Sequence, residues 1–162
     1  PVLNPRANPW QYLHLQKSPM IVPISRDAFG HVPSSWAPNI DVTTFVFFNP
    51  PSQLSPQLTS FLSIVSPTIV ISFSSMPVSN HDVALIVLRI LDQCRTRPKI
   101  IVVTGDSRPG KKISTMDQTR LDHYQHVKRL IYVDDVPFHV LFPRIDAAII
   151  QGGLGTTAEA IR

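Results

Sequence analysis

The chain has 162 residues, 43% of them hydrophobic, with 15 Lys and Arg against 11 Asp and Glu and a formal net charge of +4. That size allows one domain with a real core. No apolar run approaches the roughly 20 residues needed to cross a bilayer and no signal-peptide pattern opens the chain, so the expectation is a soluble, cytoplasmic protein, at most peripheral to a membrane surface.

In chain order, the front is proline-rich: the 16 prolines concentrate before Pro77, which predicts an extended arm over residues 1–67 and a regular domain over 68–162. Within the arm, Trp10, Tyr12 and Leu13 read as an apolar anchor, and residues 20–24 and 42–48 as short strands. Ser55-Pro56 reads as a helix start followed by Leu58, Phe61, Leu62 and Val65. Residues 69–73 form an apolar strand. Asn80 then caps a helix in which Val83, Ile86, Val87, Ile90, Leu91 and Cys94 recur at helical spacing, with Cys94 as a buried small hydrophobe. Residues 99–104 are a second strand, 105–119 a polar, mobile loop, and 128–133 a third strand ended by Asp134 and Asp135, which also cap a short helix or turn over 137–144. Residues 147–151 are the fourth strand.

Uninterrupted apolar strands are covered on both faces. The expected fold is therefore α/β, a Rossmann-like parallel sheet with helices on both sides, preceded by the proline-rich arm. Ligands of such sheets bind beyond the carboxyl ends of the strands, where Ser75, residues 104–106, 136–138 and 152–157 fall. The last strand leaves through Gly152, Gly153 and Gly155 into a helix start. Its amides and partial positive charge suit an anion, with the hydroxyls of Thr156 and Thr157 as further donors. A phosphate or diphosphate site is one reading of this segment; a tight turn of an ordinary α/β domain is the other.

Cys94 alone excludes an internal disulfide and a cysteine-based zinc site. His123 and His126 have helical spacing but no third ligand, so no metal is expected. The basic residues, among them Arg95, Lys99, Lys111 and Arg129, are scattered and form no continuous stripe. They read as a solvated surface that favours anionic partners in general and argues against nucleic acid.

Residues 133–160 resemble the nucleotide-sugar-binding, C-terminal half of GT-B glycosyltransferases of the UDP-glycosyltransferase superfamily, above all the sterol 3-beta-glucosyltransferases. The residues that carry the likeness are Asp135-Val136-Pro137-Phe138-His139-Val140-Leu141-Phe142-Pro143-Arg144 and Gly152-Gly153-Leu154-Gly155-Thr156-Thr157-Ala158-Glu159-Ala160. Ile71-Ser72-Phe73-Ser74-Ser75-Met76-Pro77 is similar to the strand and turn that open that domain, and residues 33–48 look like the linker before it.

The resemblance implies a UDP-sugar as donor substrate with no cofactor. It sets Ser75 and Gln151 on the diphosphate and the backbone near Val136 and Phe138 on the uracil ring. Gln151 stands where the family has a histidine, which removes a charged donor, and Phe138 replaces another; His139 inherits no role. The resemblance also implies a lipid or sterol acceptor and a catalytic base held on an N-terminal domain that this chain lacks. Together with Pro1 at the start, this leads to the expectation of a fragment or reduced form, inactive alone. Two functions follow: the donor-binding part of a hexosyltransferase, or a degenerate domain serving other protein subunits as a non-catalytic member of an assembly.

Overall fold

The computed structural model describes residues 19–28, 30–36, 38–73, 76, 78–105 and 113–162. The Trp10, Tyr12 and Leu13 anchor lies outside them, as does Ser75. Two compact units divide at Phe48 and Asn49.

In the first unit, β1 (Met20–Val22) pairs in parallel with β2 (Ile40–Val42), Met20 opposite Ile40. A 3-10 turn over Arg26–Ala28 follows β1, and Arg26 Nε donates to the Val42 carbonyl at 3.1 Å. The second predicted strand thus ends at Val42. Residues 43–48 make no ladder, and Val46 and Phe48 are exposed.

The second unit carries a four-stranded, all-parallel sheet in the order β5-β4-β3-β6, from β3 (Thr68–Ser72), β4 (Lys99–Val103), β5 (Leu130–Val133) and β6 (Ala147–Ile150). Its helices are α1 (Pro56–Leu62), α2 (Asn80–Gln93), α3 (Thr115–His126), α4 (Phe138–Leu141) and α5 (Leu154–Ile161), with a 3-10 turn over Phe142–Arg144. Each strand of the pleated sheet sends successive side chains to opposite faces. Accordingly Ile71, Ile100, Val102 and Leu130 join Val87, Leu88, Leu91 and Leu121 of α2 and α3 in one core. On the other face Val70, Ile101 and Ile131 meet Leu54, Leu58 and Phe61 around α1, with Val136 and Leu141 near α4. Helices on both faces are what the apolar strands predict.

Hydroxyl caps start three of these helices. Ser55, Ser79 and Ser114 each accept the backbone N–H three residues on, at 3.2, 3.2 and 3.1 Å. The cap of α2 is therefore Ser79 and not Asn80, which is the first helical residue. Likewise α3 begins at Thr115, inside the stretch expected to be a loop, because Ser114 and Asp117 form a capping pair there. Asp134 and Asp135 do not cap α4. Its N-cap is Pro137 without a side-chain bond, and Asp134 Oδ1 accepts instead from the Thr104 hydroxyl at 3.0 Å, tying the ends of β4 and β5 together.

Lys99 departs from the apolar pattern of β4. It is 1% exposed, and its ammonium group lies on the α1 face, donating to the carbonyls of Phe61 at 2.9 Å and Ile64, with Leu62 O at 3.5 Å. Those carbonyls lie in the last turn of α1 and just beyond it, where the helix leaves carbonyls short of intrahelical donors. A buried cation thus caps the C-terminal end of that helix, where the helix dipole favours positive charge. Cys94 is half-buried at the end of α2, not buried, with Sγ 3.1 Å from Thr96 Oγ1; that hydroxyl lowers the thiol pKa. No helix among the described residues is long and apolar enough to cross a membrane.

Candidate functional site at the carboxyl ends of β3 and β6

The chain builds β3, β4 and β5 outward in one direction and then returns to lay β6 on the other side of β3. The point where strand order reverses therefore lies between β3 and β6. There the loop from β3 runs to α2 on one face and the loop from β6 runs to α5, which packs beside α4. Such a reversal point is the usual ligand position in an open α/β sheet.

The β6 side of this reversal point is backbone-rich. Gly152 has φ +81°, a conformation that side chains resist, and a Cβ there would meet nothing within 4 Å. Gly153 is the N-cap of α5, and no side chain caps the helix. The first intrahelical bond runs from Thr157 N–H to Gly153 O at 2.9 Å, so the amides of Leu154, Gly155 and Thr156 precede any helical acceptor. A Cβ on Gly155 would also meet open space. Thr156 is half-buried. The Thr157 hydroxyl is buried and has no hydrogen-bond partner among the described residues.

Gln151 links the two loops. Its Oε1 accepts from the Met76 backbone N–H at 2.9 Å, joining the loops after β6 and β3 across the reversal point. The same side chain limits Gly153, because a Cβ there would come within 2.9 Å of Gln151 Nε2. Glycine at this position gives the amide group of Gln151 its room.

Gln151, Gly152, Gly153, Gly155, Thr156 and Thr157 are thus consecutive parts of one turn. Val136 and Phe138 lie elsewhere, after β5 at the far edge of the sheet. Val136 is 5% exposed and belongs to the core on the α1 face, so its side chain is committed to packing. Phe138 stacks on Phe142 with ring centroids 4.8 Å apart and planes 14° from parallel. The helix α4 itself touches α5. Thr104, also at a strand end, spends its hydroxyl on Val133 O and Asp134.

Sequence reasoning misses the part played by Met76. The residue contributes a main-chain N–H, and nothing in the side-chain pattern reveals that Gln151, 75 positions later, will reach it. Only the sheet order brings the two loops side by side. Among the described residues no three of His, Cys, Asp and Glu gather as a metal site.

No family model matches the chain. Two curated proteins do: the sterol 3-beta-glucosyltransferases UGT80A2 and UGT80B1 of Arabidopsis thaliana. They are 30% identical over 134 residues and 29% identical over 133, in each case across 80% of this chain. The chain spans only about a fifth of their length, 19% and 20%.

Proposed function

On the premise of that relationship to GT-B glycosyltransferases, we propose that this chain is the donor-binding part of a glycosyltransferase, one that transfers a hexose from a UDP-sugar to a lipid or sterol hydroxyl. The observation that carries the reading is the uncapped start of α5 behind Gly152 and Gly153, with the orphan hydroxyl of Thr157 beside it. Backbone amides with no acceptor among the described residues, at the positive end of a helix dipole and at the reversal point of the sheet, suit a diphosphate.

In the proposed reaction the bond between the sugar's anomeric carbon and the diphosphate oxygen breaks, and negative charge grows on the leaving diphosphate. Donors held in place before the reaction stabilise that charge without reorganising. The amides of Leu154, Gly155 and Thr156 would supply most of them, with the Thr156 and Thr157 hydroxyls. Gln151, whose Oε1 accepts from the Met76 N–H, holds the loops after β6 and β3 together beside those donors. The acceptor hydroxyl loses its proton to a general base on a separate domain. The uracil ring would lie along the main chain of residues 136–138, since the side chains there are taken up by packing.

Calorimetric titration of the full-length protein with UDP tests this. Gly153→Val should weaken binding at least about tenfold, because the new side chain drives Gln151 off Met76. Absence of any heat of binding at about millimolar UDP would remove the donor site.

A further inference from the structure

One edge of the four-stranded sheet is unfinished. Among the described residues β5 pairs with β4 alone, and no strand lies on its outer side. A hollow of about 400 Å³ runs there, between Gln57 and Ser60 of α1 on one face and Gln125 and His126 of α3 on the other, so neither helix covers the strand.

The ladder fixes which peptide groups point outward. Ile100 N–H bonds to Arg129 O and Thr104 N–H to Val133 O, both at 2.9 Å, so Arg129, Ile131 and Val133 address β4. In a parallel ladder the residues between them turn the other way, which sets the N–H and C=O of Leu130 and Tyr132 on the free edge. Such a row of peptide groups is a template for another extended chain.

The flanking charges say which chain. The strand is entered through Lys128 and Arg129 and left through Asp134 and Asp135. Arg129 is used inside, donating to the carbonyls of Leu91 and Pro98, whereas Lys128, Asp134 and Asp135 are exposed. A parallel neighbour of the same sequence would set like charges side by side. An antiparallel one reverses their order. With Leu130 opposite Tyr132 of a second copy, the outward peptide groups bond reciprocally, Ile131 lies on the two-fold axis, and Lys128 of each copy comes beside the Asp134-Asp135 pair of the other. The two Lys128 side chains then stand about 20 Å apart by strand rise and do not oppose one another. Gln57, Ser60 and Gln125, which flank the edge, are uncharged and raise no repulsion across the axis.

We propose that the free edge of β5 is a self-association surface, on which a second copy of this chain adds its own β5 in antiparallel register to make one continuous sheet. This goes beyond the donor reading and does not depend on it.

Sedimentation velocity of the full chain between about 5 and 500 µM tests it, with hydrogen exchange resolved to single amides on the same samples. A dimer should form with a dissociation constant of about 10–100 µM, weak as small interfaces are. As it fills, the amides of Leu130 and Tyr132 should gain protection, while those of Ile131 and Val133, which face β4 in either state, should change little. Lys128→Glu and Asp135→Lys should each weaken the dimer about five- to tenfold, and the double variant should lie closer to wild type than either single one. A chain that stays monomeric throughout, a dimer indifferent to both charge reversals, or Leu130 and Tyr132 amides already protected in the monomer would overturn the proposal.

Discussion

Replacing Lys99 by Met keeps the aliphatic stem and removes the ammonium group that caps α1. Two effects oppose one another. Each hydrogen bond from a charged donor contributes about 1.5–3 kcal/mol, whereas burial penalises the charge and lowers the lysine pKa, an effect partly offset by the Asp146 carboxylate. Of the carbonyls involved, Phe61 O retains the Ile64 N–H at 3.4 Å, while Ile64 O loses its close donor. A net loss of about 2 kcal/mol is expected, read as a lower urea midpoint by circular dichroism near pH 7.

The pH dependence adds a signed check. Because the folded-state pKa lies below the unfolded one, the unfolded chain binds more protons in the interval between them. Wild-type stability should therefore rise as pH climbs through that interval toward the ordinary lysine value, and the variant should lack this gain. The deficit of Lys99→Met should be larger at alkaline pH than at neutral pH. A variant equal to or more stable than wild type near pH 7 would refute the capping argument and make the buried cation a net burden, as some buried charges are.

Gly152→Ala should lower stability by about 1 kcal/mol in thermal melts, since φ +81° is strained for alanine although space for the methyl is open. Gln151→Leu should weaken UDP binding at least several-fold in calorimetry, because the bond that ties the loops after β6 and β3 together is lost. Arg120→Ala should change the urea midpoint by less than about 1 kcal/mol of stability: Arg120 bridges Asp92 and Asp117, but its side chain is 42% exposed and solvent screens the pairs.

The sheet was legible because its strands are runs of β-branched residues such as Lys99-Ile100-Ile101-Val102-Val103, and the glycine turn because backbone conformation dictates residue type. Helix α3 was not. Its apolar face is reduced to Leu121 with Tyr124, and Thr115 to His126 otherwise reads as polar chain; the signal present was the Ser114 and Asp117 capping pair. Strand β2 lies upstream of the expected one because the β-branched and aromatic run from Thr43 to Phe48 suits a strand but finds no partner ladder. The placement of Gln151 against Met76 and of Thr104 against Asp134 depends on strand order, which short-range pattern does not carry.

Lys99 also answers a question that the apolar strands raise. Where Ile and Val line both surfaces of β4, sliding it by one position would merely exchange similar aliphatic groups between the two layers, and hydrophobicity alone gives little reason to forbid the slip. The same slide would swing the ammonium group away from the end of α1 and strand it among hydrocarbon. One awkward cation thus acts as the index mark by which an otherwise interchangeable strand finds its alignment.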